Sequence, residues 1–549
     1  MANLTQTEIA LEKTAAHHVE DTLGHGAIVE AKQATDDEHS QTLWQGLREN
    51  RKAVGWSMLI SLSIIMEGYD TILLGNFYAY PTFQKKYGEY YGEETGWQVP
   101  ARWQSGLSMA STVGCIFGGI MNGYFASKYG YRYVMIVALA FLNAFIFMTF
   151  FANSATVLLI GQIFCGFSWG VFATVGPAYA SEVCPTNLRG YLTTYVNCCW
   201  AIGQLIASGV LYGLVDRPDQ WSYRIPFGLQ WIWPLPLMVI CWLAPESPWY
   251  LVRTDRLEDA KRSLKRLNSD RSEDQINGQI AMMVHTTKIE AEIEAGTTYA
   301  ECFKGVDLRR TEICCVAFMG QIMSGSTFAY TPTYFFEQAG MNTSKAFQFG
   351  VGCTAVSLVG TMLSWFLITW FGRRTLYVWG QGTLTTLLFL VGIINAAAST
   401  NGAMWAQAAL CMVWLFVYSL TVGPIAYSVV SEISSTRLRT LTVCLARTAY
   451  QIINVVSQVL EPYFMNPTAW NASGKTGFFW GSTALIAFVW AYFRLPEPKG
   501  RTYAELDILF ASKVSARKFS STHVDAYAAV TATSQEVLTR EEAVTEVKE

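Results

Sequence analysis

The sequence predicts an all-α membrane protein of twelve transmembrane helices arranged as two pseudo-symmetric six-helix halves. Three observations predict it. Charged residues make up 15% of the 549 residues, against about 25% in soluble proteins, so most of the chain lies where charge is disfavoured. Apolar runs long enough for a helix of about 20 residues across a bilayer recur twelve times. A hydrophilic stretch rich in both signs of charge divides those runs six and six.

Taken in order, residues 1–52 are polar, with His17, His18, Asp36, Asp37 and Glu38, and lack an apolar h-region. They read as a cytosolic tail and not as a secretory signal. The first half, 53–244, holds runs beginning near Ala53, Trp103, Tyr133, Ala155, Tyr191 and Ile225. The linker, 245–310, carries Arg253, Lys261 and Arg262 interleaved with acids, and Arg256 to Arg271 is expected to form an amphipathic helix on the cytosolic face. The second half, 311–496, holds runs beginning near Thr311, Ala346, Leu376, Met404, Leu441 and Gly477, and 497–549 is a polar tail.

Short loops with Arg132, Arg189, Arg373, Arg374, Arg437 and Arg439 fall on the linker side, which the Lys/Arg bias places in the cytosol with both termini. The sequons Asn342-Thr343-Ser344 and Asn471-Ala472-Ser473 fall on the other side. Parallel halves around a central site explain this layout, and a weak repeat accompanies it. Tyr129-Gly130-Tyr131-Arg132 answers Phe371-Gly372-Arg373-Arg374, and Ser181-Glu182-Val183 with Arg189 answers Ser431-Glu432-Ile433 with Arg439. With Glu246, these groups predict a cytosolic gate of charge clamps that make and break: Glu182, Arg189, Arg373, Glu246, Glu432, Arg439 and Arg132.

Other classes are disfavoured. A net charge of −3 gives no reason to expect a nucleic-acid partner. The twelve cysteines contain no C-x-x-C pair and sit mostly inside apolar runs, as small packing residues do. No metal, cofactor or enzymatic constellation is expected, and the partners are a small molecule, a proton and the lipid bilayer. Gly114-x-x-x-Gly118 and Gly166-x-x-x-Gly170 are spacings that let helices approach closely.

Ionisable residues inside spans carry function by default, because each costs about 2.5–3.5 kcal/mol or more at the bilayer centre. Glu67 and Asp70 lie three apart on one face of the first span. Two carboxylates that close in low dielectric resist ionising together, which suits one of them to carry a proton. Arg447, about two turns inside the eleventh span, needs a carboxylate or a wet cavity. The expectation is that Arg447 pairs with Asp70 or Glu67 across the central cavity and that protonation releases it.

Several motifs in the right order resemble the sugar-porter branch of the major facilitator superfamily. They are Pro177-Ala178-Tyr179 with Glu182, Pro185, Arg189 and Gly190; Pro245-Glu246-Ser247-Pro248; Gly423-Pro424 with Ser431-Glu432-Ile433; and Pro496-Glu497-Pro498-Lys499-Gly500-Arg501-Thr502. Within that branch, Met66-Glu67-Gly68-Tyr69-Asp70, Gly75-Asn76-Phe77-Tyr78 and Trp249 resemble fungal maltose or α-glucoside permeases. The resemblance implies the major facilitator fold and proton symport of α-linked disaccharides at a plasma membrane. An uncoupled facilitator and a sugar-binding sensor remain alternatives. The resemblance also implies a sugar site at Gln204, Gln321, Tyr427, Asn454 and Gln451. Where many proton-coupled porters have Arg in the fourth span, this chain has Gln162 after Gly161. Gln162 thus joins the candidate substrate residues, and Arg447 is left to serve the first-span acids.

Overall fold

The computed structural model describes residues 47–522 apart from 94–95, 185, 269–271, 295–297, 331, 339, 398–399, 436–437, 500–505 and 507–508. The outer parts of both predicted tails and the side chains of Arg189 and Arg439 lie outside the described residues.

Among the described residues, ten helices are long and apolar enough to cross a membrane. In the first half they are Arg51–Phe77, Tyr131–Phe150, Ala155–Ala180, Tyr195–Leu214 and Trp221–Leu243. In the second they are Thr343–Trp370, Arg373–Ala397, Gly402–Ile433, Leu441–Met465 and Ser473–Arg494. The seventh span is a broken pair, Gly305–Ala329 and Pro332–Gln338, bent by 45°. The second span, Ala101–Tyr129, is 29 residues long, ample for a crossing at 1.5 Å per residue. It is less apolar than those ten helices because Gln104, Ser108, Ser111 and Thr112 face an internal cavity instead of lipid. The loop before it folds as a short antiparallel hairpin, Glu89–Tyr90 with Trp97–Gln98, an addition to the expected all-helical plan.

The second and fourth spans pack most closely, through the two small-residue motifs. A Cβ on Gly114 or Gly118 would lie 2.0 Å from the carbonyl oxygens of Ile163 and Phe167, and one on Gly166 or Gly170 would lie 2.2 Å from those of Ser111 and Cys115. The two motifs therefore face each other, and the helices touch backbone to backbone. On the outside, large apolar residues such as Phe117, Ile120, Val137 and Phe366 are exposed along the spans, as a lipid-facing surface requires. Trp242, Trp370 and Trp379 are exposed near the linker-side ends of theirs, where indoles favour the headgroup level.

The linker forms three helices, Pro248–Arg253, Leu257–Leu267 and Glu273–Glu294. Ala260 and Leu264 pack with Tyr250, Leu251, Val252, Ile276, Ile280 and Met283 into a separate small core. The amphipathic helix over Leu257–Leu267 buries Ala260 and Leu264 against its own neighbours, while Leu267 packs into the core of the first half.

Candidate functional site

A cavity of about 1120 Å³ lies between the halves. Its wall comes from the first, second, fourth and fifth spans on one side and the seventh, eighth, tenth and eleventh on the other, with Arg373 and Lys499 at the rim. At the linker face the wall reaches exposed Ser431 and partly exposed Glu432, Arg373 and Lys499. The opposite end is sealed. Gln104 donates to the Tyr334 hydroxyl at 3.2 Å, Ser105 to the Val459 carbonyl at 3.1 Å and Asn466 to the Val99 carbonyl at 2.8 Å. The rings of Tyr80 and Phe347 meet edge to face at 5.2 Å, within one apolar core that includes residues of both halves. The molecule is therefore open toward the linker and closed on the other face.

Glu67 and Asp70 both line the cavity. Glu67 is partly exposed, whereas Asp70 is buried and accepts a hydrogen bond of 2.5 Å from Gln230 of the sixth span. Arg447 stands across the cavity, near enough to Glu67 to interact electrostatically. Among the described residues it forms no ion pair within 4 Å with either acid, contrary to the expected direct pairing. Its guanidinium donates to the Tyr427 hydroxyl at 3.3 Å and lies 5.5, 5.5 and 5.8 Å from the rings of Phe318, Tyr427 and Tyr450. Aromatic faces attract a cation by about 0.5–2 kcal/mol each, so this cage holds the charge where a carboxylate was expected. Gln230 fills the role of first-span partner, and a neutral amide 160 positions away is not marked by the rule that singles out ionisable groups.

The sugar-site candidates divide. Gln321, Tyr427, Gln451 and Asn454 are on the wall, and Gln321 also donates to the Gly423 carbonyl at 2.7 Å, tying the seventh span to the tenth. Gln204 is elsewhere. It is fully buried and lines a separate small void with Asn76, Ser208 and Thr354, and Tyr330 and Ser357 form the partition from the main cavity. The fifth and eighth spans pack together there, which closes that face. Gln162 is also buried off the wall, with its side-chain oxygen unpartnered among the described residues. The aromatic wall residues Trp169, Trp200, Tyr330 and Tyr334 carried no sequence signal beyond a high aromatic content.

The gate residues form two matching knots, each joining one half to the segment that follows it. Glu246 accepts from the backbone N–H groups of Tyr131 and Arg132 at 3.1 and 3.2 Å. Glu497 accepts from those of Arg373 and Arg374 at 2.8 and 3.1 Å. Each loop carboxylate therefore caps the start of a span, where free N–H groups and the helix dipole favour an anion. Gly130 and Gly372 repeat for this reason: a Cβ there would lie 2.6 and 2.0 Å from the capping carboxylates. Burial pushes the Glu246 carboxyl above the usual carboxylate range, and the N–H donors of Ser247, Arg132 and Tyr131 draw it back.

Glu182 pairs with Arg253 of the linker at 2.8 Å and accepts from Tyr131 at 3.0 Å and from Ser247. Glu432 pairs with Arg373 at 3.0 Å. Arg132 contributes its backbone, while its guanidinium lies over Tyr133. In this open-to-linker arrangement the charges tie each half to the segment that follows it instead of clamping one half to the other. Glu497→Gln should keep one acceptor oxygen but set an amide N–H₂ against the other backbone N–H of the pair. We expect a loss of about 1–3 kcal/mol, read as a lower unfolding temperature of the detergent-purified protein.

The family model described as "Sugar (and other) transporter" matches residues 56–510. The maltose permease MAL31 of Saccharomyces cerevisiae is 41% identical over 517 residues, which cover 93% of this chain and 84% of that protein. The α-glucosides permease MPH3 of the same species is 39% identical over 511 residues, 91% of this chain and 84% of that one. Among solved structures, the proton:xylose symporter XylE bound to 6-bromo-6-deoxy-D-glucose aligns with a TM-score of 0.68 at 19% identity. That alignment covers 84% of this chain and 100% of that one. The inward open conformation of the xylose transporter XylE from E. coli aligns at 0.64 and 19% identity, over 83% and 99%. These likenesses fit the twelve-span architecture, and the extent of the family match decides the assignment: the chain is a multi-pass membrane protein that belongs to the sugar (and other) transporter family.

Proposed function

We propose that this protein is a proton-driven importer of α-glucosides such as maltose, resident in the plasma membrane with its linker and both termini in the cytosol. The halves 53–244 and 311–496 would rock about the cavity, exposing it to one side at a time. The observation that carries this reading is the cavity itself, with two carboxylates of the first span on one wall and a caged guanidinium on the other. The maltose and α-glucoside permeases that match most of the chain support the substrate class.

In mechanism, sugar hydroxyls find amide and hydroxyl partners at Gln321, Gln451, Asn454 and Tyr427, and aromatic faces cover the C–H surface. Asp70 and Glu67 take a proton when the cavity faces outward and release it to the cytosol. Coupling requires that sugar and proton each raise the other's affinity.

The test is external pH in lightly buffered yeast cells that lack their own α-glucoside permeases and express this chain. Adding maltose should make the medium more alkaline, in step with uptake. Uptake without alkalinisation would leave a facilitator, and sugar-dependent signalling without uptake would leave a sensor.

A further inference from the structure

The cavity wall holds a third carboxylate to which the mechanism above gives no role. Glu461 lies in the eleventh span, fourteen residues beyond Arg447. Fourteen residues are close to four helical turns, so both side chains project from one face about 21 Å apart along the axis. Glu461 is therefore at the sealed end of the cavity, one turn from Ser457 and beside Pro462, and only 5% of it is exposed.

Its two oxygens are in different situations. The indole N–H of Trp480, in the twelfth span, donates to Oε2 at 2.6 Å, which anchors that oxygen. Oε1 is buried and has no hydrogen-bond partner among the described residues. An unsatisfied buried acceptor of this kind is costly, more so when charged. Packing alone would favour an apolar side chain at this position. The carboxylate is held through one oxygen among the residues that line the cavity, and its other oxygen, covered while this end is sealed, is left to accept from a ligand hydroxyl once the end opens.

Resting on the sugar-transport reading above, we propose that Glu461 is a substrate-specificity residue, accepting a hydrogen bond through Oε1 from a hydroxyl of the sugar ring at the sealed end. Trp480 is the positioning residue that holds the carboxylate for it. The twelfth span thereby bears on recognition without lining the cavity.

The experiment measures initial rates of radiolabelled maltose uptake against concentration, with surface level determined by labelling. Glu461→Gln keeps an oxygen that can accept from Trp480 but presents an N–H₂ group on the free side. We expect KM to rise about tenfold, the scale of one charge-assisted hydrogen bond, with maximal rate per surface molecule within twofold. Among monodeoxy-maltoses, the one lacking the contacted hydroxyl should show equal KM in wild type and variant. Glu461→Asp, which retains the charge, should raise KM less and serves if the Gln variant does not reach the surface.

An unchanged KM in Glu461→Gln, while Asp70→Asn abolishes accumulation, would overturn the assignment and leave the transport reading intact. An equal rise for every deoxy analogue would also overturn it, since a general distortion names no hydroxyl. Absence of uptake of any α-glucoside by the wild type would overturn both.

Discussion

Cells carrying Asp70→Asn should equilibrate maltose across the membrane but fail to accumulate it. The side chain is buried and accepts from Gln230 at 2.5 Å. An asparagine oxygen can accept that same bond, so the helix contact survives while the exchangeable proton is lost. A neutral amide resembles the protonated acid, which on the proposed mechanism is the form that moves with sugar aboard. Sugar-for-sugar exchange should therefore persist, measured as counterflow in preloaded vesicles. Each 100 mV of membrane potential contributes about 2.3 kcal/mol per proton, equivalent to about fiftyfold accumulation; the variant should give a ratio of one. Glu67→Gln should differ in degree. Glu67 is partly exposed on the wall and faces the charge of Arg447, so its loss should also weaken sugar binding. Accumulation by Asp70→Asn at the wild-type ratio would remove that carboxylate from the coupling step.

The fold and the site were legible to different depths. Span count, division into halves and the linker follow from hydropathy and charge, which act on stretches of about 20 residues and need no neighbours. The second span was found by that pattern although its cavity-facing Gln104, Ser108, Ser111 and Thr112 dilute its apolarity. The acids of the first span were legible because an ionisable group in a membrane is conspicuous by itself. Their partners were not: Gln230 is 160 positions from Asp70, and the cage around Arg447 draws on three spans. Nothing in the sequence distinguishes a guanidinium held by rings from one held by a carboxylate. Gln204 and Gln162 show the converse, since a position matched to a motif does not say which way the cavity is open. Glu461 was obscured by its place near the end of its span, where a carboxylate reads as interfacial.

The glycine repeats of the second and fourth spans yield the largest expected structural effect. Gly166→Val would bring a Cβ within 2.2 Å of the Ser111 carbonyl oxygen, and Gly118→Val within 2.0 Å of that of Phe167. Ordinary contact begins near 3.4 Å, so the helices would have to separate by more than 1 Å, and the obstructing atoms are backbone that cannot rotate away. Overpacking commonly costs about 1–3 kcal/mol. With the three other glycines of this interface displaced by the same movement, we expect the upper end or beyond. Little protein should then reach the surface. Gly123 supplies the control, since it lies on the second span, exposed, with nothing within 4 Å of an added Cβ. Gly123→Ala should be neutral or stabilising by up to about 1 kcal/mol, because alanine favours the helix. Gly166→Ala, the same chemical change, should be destabilising. Unfolding temperatures of the two alanine variants in detergent decide the matter: opposite signs follow only if backbone contact between these spans sets the requirement for glycine, and equal shifts would show that helix propensity alone governs both sites.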